Sequence, residues 1–219
     1  MKILAKKYLP YFPIFGLGLY IIAFAFAAST YPGGSINQPH ASGYSFYHNF
    51  LCDTMNPITQ SGIINNARFL AIISHLILSF TMITFFYILP KIFNVKNRNT
   101  ILIASFGIAS MTVFIFMYTE YHDLIVTITG ILGTIALIPF FIELQNFKNK
   151  GLKKLAYLCY ALSIIVFFIF ETKIGFYYLP FIQKITFGLD ASWVVWSCLI
   201  VIHKNKASVN LFHQNKTEV

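Results

Sequence analysis

Apolar residues run along this chain in six long blocks, at about 10–29, 68–89, 101–118, 123–144, 155–171 and 184–203. Crossing a hydrocarbon layer about 30 Å thick takes roughly 20 largely apolar residues in a helix, so each block predicts a transmembrane helix. The first block follows Lys2, Lys6 and Lys7, and its Ala25-Phe26-Ala27 resembles a signal cleavage site. Its apolar part is longer than a signal's, which predicts an uncleaved anchor. The pattern therefore predicts an all-α integral membrane fold, a six-transmembrane-helix bundle forming one domain over residues 1–219, with no internal repeat.

The polar stretches between blocks are unequal. Those at 90–100 and 145–154 are short and basic, and "TEYHD" between the third and fourth blocks is scarcely a turn. The segment from Ser29 to Ala67 is the exception, and connections of that length are usually functional or structured in their own right. It opens with "YPGGS", where Pro32 fixes φ and Gly33-Gly34 permit left-handed geometry, so a sharp turn is expected as the chain leaves the first helix. Further on, Tyr44, Tyr47 and Leu51 recur on one helical face and Ser45, His48, Asn49 and Cys52 on another. This predicts a short interfacial helix over about 43–54, aromatic side toward lipid and polar side toward the mouth of the bundle.

Composition strengthens the membrane reading: 57% of the residues are hydrophobic and only 11% charged. Charge then orients the chain. Lys2, Lys6, Lys7, Lys91, Lys96, Arg98, Lys148, Lys150, Lys153, Lys154, Lys204, Lys206 and Lys216 fall on one side of the threading, leaving Arg68, Lys173 and Lys184 for the other. Positive loops stay in the cytoplasm, so a cell-membrane protein with cytoplasmic N- and C-termini is expected. The same asymmetry accounts for most of the net charge of +9, leaving no reason to invoke nucleic acid, and membrane lipids are the expected partners. Cys52 is separated from Cys159 and Cys198 by the depth of the bundle, and no CxxC is present, so no disulfide framework is expected.

Ionisable groups at membrane depth are candidates for function. On the second block Asn65, Arg68 and His75 share one face, and on the sixth Lys184, Thr186, Asp190 and Ser197 descend from the outer boundary. His75 and Asp190 fall at similar depth, where a carboxylate facing an imidazole offsets both desolvation penalties. That pair is either a structural clamp or an acid–base couple. Glu120, His122 and Asp123 lie at the turn into the fourth helix, and five of the six non-terminal acidic residues map to the outer half. An outward-facing polar cavity follows, with His48, Asp53, His75, His122, Asp123 and Asp190 as candidates for proton transfer, and Asn65, Arg68 and Lys184 as candidates for holding substrate. Histidine with carboxylate is also a donor set for a divalent metal such as zinc, although no HExxH or HxxxH spacing is present and the metal content stays open. There is no Walker loop, nucleophile elbow, CxxCH or deep retinal-type lysine, which leaves nucleotide, c-type haem and pigment functions unsupported.

The stretches "YPGGS", "HNFLCD", "NNARFLAI" and "YHDLIVTITGILGTIALIP" resemble a bacterial group of six-helix membrane proteins, the domain-of-unknown-function family numbered nine-nine-eight. More distantly they are similar to DRAM-like and GPI-remodelling membrane proteins. Asp53 and Asn65-Asn66 match an aspartate and an Asn-containing turn of that wider set. The resemblance implies a topology and no reaction. Ser74-His75 is loosely similar to the serine–histidine arrangement of alkaline-ceramidase and progestin-receptor-like membrane hydrolases, but the late HxxxH helix and the seventh span are missing. Three functions stand open: a hydrolase or transferase acting on lipid headgroups or lipid-linked substrates, a non-catalytic protein binding lipid or a partner, and a proton-linked carrier using His75 and Asp190. Against the carrier, no span shows a Gly/Pro-broken midplane.

Overall fold

The computed structural model describes residues 8–93 and 95–217, with side chains as far as Ala207; Lys2, Lys6 and Lys7 lie outside the described residues, as does the side chain of Lys216. Among the described residues, six helices are long and apolar enough to cross a membrane. They are α1 (Phe12–Ser29), α2 (Arg68–Ile88), α3 (Arg98–Phe114), α4 (His122–Gln145), α5 (Lys150–Thr172) and α6 (Leu179–Thr217). Each expected block is found, and the last begins earlier than expected, because a 3-10 turn at Phe176–Tyr178 leads into α6 with Pro180 in its first turn.

The helix boundaries follow from local chemistry. Pro10 and Pro13 stand at helix starts, where no backbone N–H is needed. Asn97 caps α3 in a reciprocal pair with Thr100, and Asn149 caps α5 through the Leu152 N–H. At its far end α5 stops at Lys173, which adopts a left-handed φ of 60°, and Gly175 follows at 76°.

Neighbouring helices pack in chain order from α1 to α4, α5 lies against α6, and α6 returns to touch α1 and α2. The tight core sits toward the end that carries Lys91, Lys96 and Arg98, where Phe85, Phe140 and Trp193 meet edge to face at 5.2 and 5.4 Å. Close approach depends on glycine at two places. A Cβ on Gly16 of α1 would stand 2.1 Å from Thr81 Oγ1, and one on Gly107 of α3 would stand 2.1 Å from the Phe86 ring. Large side chains turn outward instead: Phe15 is 74% exposed and Phe69 78%.

The segment from Thr30 to Ala67 folds over the opposite end. Gly33 and Gly34 take the positive φ values expected of them, 126° and 84°, and any Cβ there would strike backbone. The helix expected over about 43–54 is not formed. The chain makes a turn at 46–48 and a 3-10 turn at Cys52–Met55. The cause is competition from the side chains whose spacing suggested the helix: Asn49 Oδ1 takes the Ser45 N–H and Asp53 Oδ2 takes the Phe50 N–H, both at 2.9 Å.

Gly16 and Gly18 separate packing from propensity on one helix, since a Cβ at Gly18 meets nothing within 4 Å. Gly16→Leu is expected to cost about 1–3 kcal/mol by overpacking and Gly18→Ala to be neutral or stabilising, read as thermal unfolding in detergent.

Candidate functional site

Beneath the 30–67 segment the helices surround a cavity of about 810 Å³, within the range of sites for small organic ligands. Tyr20 and Phe24 of α1, Ser74 and His75 of α2, Thr129 of α4, Phe167 of α5 and Asp190 of α6 contribute to its wall, and Phe50 to Asn56 form part of its roof. Most of the lining is apolar, with a small number of polar groups set into it.

His122 and Asp123 stand where α4 begins. His122 Nδ1 lies 2.8 Å from Asp123 Oδ1. A carboxylate accepts, so Nδ1 carries the hydrogen and the neutral ring keeps its lone pair on Nε2. That Nε2 is buried and has no hydrogen-bond partner among the described residues, and His122 lines the cavity. Asp123 is open to the surroundings, its side chain 78% exposed. The dyad thus has an outer carboxylate orienting a histidine whose second nitrogen is left available.

His75 is occupied differently. Its Nε2 lies 2.8 Å from the Phe114 carbonyl, which makes Nε2 the donor, and the two rings are 4.7 Å apart. The expected pair with Asp190 does not form. Among the described residues the only ion pair is His122–Asp123, so the Asp190 carboxyl lies in the cavity wall without the histidine expected beside it. The end of α3 explains the change: it tightens into a 3-10 turn at Ile115–Tyr118, and its terminal carbonyls need donors.

Asp53 lies in the roof, 7% exposed. Its Oδ2 accepts from Asn49 Nδ2 and Phe50 N, each at 2.9 Å. Burial pushes this carboxyl above its ordinary value, against the opposing pull of those two hydrogen bonds and of the positive charge at Lys184. Asn49 is the centre of the roof: its Nδ2 also donates to Gly34 O at 2.8 Å, and its own carbonyl accepts from Lys184 Nζ.

Of the nine residues singled out from the sequence, five share this cavity: Asp53, His75, His122, Asp123 and Asp190. The other four do not line it. His48 packs its ring against Tyr177 at 5.8 Å. Asn65 staples the segment to the start of α2, donating to Thr54 O and Asn56 O at 2.8 Å and accepting from Ala67 N at 3.0 Å. Arg68 Nε donates to Met55 O at 3.2 Å. Lys184 Nζ donates to Asn49 O and Pro180 O and faces the rings of Tyr44 and Phe46. For Asn65, Arg68 and Lys184 backbone carbonyls take side-chain donors, a demand that spacing along the sequence does not reveal, whereas His48 Nδ1 is buried with no hydrogen-bond partner among the described residues.

Three cavity residues escaped the sequence reading as site members. Thr129 and Thr186 carry buried hydroxyls without partners, and Lys173 stands in the wall with Nζ 4.3 Å from the Phe170 ring centre. Thr186 was legible as a member of the Asp190 face, and Lys173 only as a charge on the outer side. No group of three or more His, Cys, Asp or Glu side chains converges as a metal-ligand set among the described residues, so the zinc donors envisaged from composition are not assembled. Comparison of the chain with family models, with curated proteins and with solved structures finds no match.

Two predictions follow from the roof. Asn49→Ala removes acceptors and donors from Ser45, Gly34 and Asp53 together and is expected to cost about 2–3 kcal/mol, seen as faster hydrogen exchange across 44–56. Because the folded value of Asp53 lies above its unfolded one, its contribution is complete below the ordinary carboxylate range and is lost as pH rises through the elevated value. The thermal midpoint in detergent should fall over that rise, and Asp53→Asn should flatten the dependence.

Proposed function

We propose that the chain is a multi-pass protein of the cell membrane with both termini in the cytoplasm, and that its cavity receives the head of a membrane lipid or lipid-linked substrate, on which His122 acts as general base. Insertion is supported by the six apolar helices and by the outward-turned aromatic rings. Orientation is supported by Lys91, Lys96, Arg98, Lys148, Lys150, Lys153 and Lys154, which lie at or near the helix ends away from the 30–67 segment. The mainly apolar wall with few polar groups suits an amphiphile.

The observation that carries the reading is the unpartnered Nε2 of His122 in the cavity wall. An imidazole held through Nδ1 by a carboxylate is fixed in the tautomer that accepts a proton at Nε2. There it takes the proton of a water or hydroxyl as that oxygen adds to an ester or phosphoryl centre; Asp123 stabilises the imidazolium that results, and the imidazolium gives the proton to the alkoxide that leaves as the bond to it breaks. Lys173, in the same wall, offers positive charge to an anionic head. The reaction class is hydrolysis or group transfer.

The test uses purified protein in nanodiscs made from a total bacterial lipid extract, with lipids followed by mass spectrometry over time. Wild type is expected to convert one lipid class, and His122→Gln to slow that conversion about 10²–10⁴-fold without lowering the thermal midpoint. His75→Gln, which loses its bond to Phe114, should lower the midpoint first. An unchanged lipid profile with wild type would leave a non-catalytic lipid-binding protein as the better account, and full turnover by His122→Gln would remove the assigned base.

A further inference from the structure

A second concavity, about 1150 Å³, runs along the outside of the bundle between α1 and α6. It extends from Ser29 to Ile14 on α1 and from Lys184 to Leu199 on α6. Fifteen helical rises on each helix give it a length of about 22 Å, more than half of a hydrocarbon core about 30 Å thick. Glycine keeps its floor open: a Cβ at Gly18 or at Gly188 meets no atom within 4 Å. Beside it α1 presents Leu19, Ile22 and Phe26, each more than half exposed.

One end of this groove is polar. Lys184 and Tyr44 both line it. An ammonium has three hydrogens to give; Lys184 directs two to Asn49 O and Pro180 O, and no carboxylate comes within 4.0 Å of Nζ among the described residues. The Tyr44 hydroxyl is buried and has no partner among them. An apolar channel of acyl-chain length that ends in two unfilled donors, one of them cationic, matches an anionic amphiphile lying in a bilayer. The groove also shares a wall with the cavity, since Tyr20, Phe24, Leu51 and Phe187 line both.

We infer that the α1–α6 groove is a binding site for an anionic glycerophospholipid, with an acyl chain along α1 and α6 and the phosphate against Lys184 and Tyr44. This builds on the reading of the cavity as a lipid site, because it places a lipid from the bilayer one layer of side chains away from it. Tyr20 and Phe187, 5.2 Å apart between ring centres, are part of that layer.

Trp196 lines the groove, and the chain has only one other tryptophan, Trp193. In a Trp193→Phe background, Trp196 fluorescence can be quenched in nanodiscs of mixed phosphatidylglycerol and phosphatidylcholine in which one lipid at a time carries brominated acyl chains. Brominated phosphatidylglycerol is expected to quench more than its proportion, and Gly188→Leu, which adds bulk to the groove at a position where a Cβ meets no protein atom within 4 Å, should abolish the preference. Tyr44→Phe leaves the bonds of Lys184 to Asn49 and Pro180 in place and should weaken the preference about five-fold, the worth of one hydrogen bond. Equal quenching by the two lipids, or a preference that survives Gly188→Leu, overturns the groove site. Neither readout depends on turnover: a failed His122 base leaves the quenching preference intact, and a failed groove leaves lipid conversion to be measured.

Discussion

Irregular backbone against the end of an apolar bundle must find a partner for every polar group it buries. The segment from Thr30 to Ala67 meets this demand with backbone turns of its own and with three side chains. Asn49 ties Ser45, Gly34 and Asp53 together, Asn65 bridges Thr54, Asn56 and Ala67, and Lys184 reaches from α6 to the Asn49 carbonyl. Leu51 N to Gln183 and Asn37 to the Tyr177 carbonyl add further links to the α6 side. Held by these bonds, the segment forms a roof over the cavity beneath it.

The hollow then has consequences for chemistry. His75 donates to a helix-end carbonyl and serves the fold. His122, one carboxylate away from the surroundings, is left with a nitrogen that no described residue uses. A buried polar atom without a partner is costly unless a ligand or water completes it, so the two histidines of one cavity divide into a structural role and an available one. Asp53 is engaged by the roof, and Nε2 of His122 stays a buried basic atom of the wall with no hydrogen-bond partner among the described residues.

The helices were legible in the sequence because their signal is an average over some twenty residues, which no single side chain can undo. The Gly33-Gly34 turn was legible because its backbone geometry is available to few other residues. The interfacial helix misled because the same Ser45, Asn49 and Asp53 that gave it periodicity compete for its backbone. Spacing likewise placed His75 and Asp190 at one depth, but it could not show that the Phe114 carbonyl would claim the histidine. Conversely, His122 beside Asp123 was visible as a neighbouring pair, and only the fold revealed which nitrogen stays free.

The central claim concerns one atom, and nitrogen NMR of the protein labelled with ¹⁵N-histidine in lipid nanodiscs observes it directly. His122 is expected as the neutral tautomer with hydrogen on Nδ1, converting to a loss of that pattern in Asp123→Asn, and its Nε2 resonance should shift when the nanodisc lipid is changed to one that enters the cavity. A His122 with its hydrogen on Nε2, or a resonance indifferent both to Asp123→Asn and to every lipid tried, would contradict an oriented base facing a lipid site.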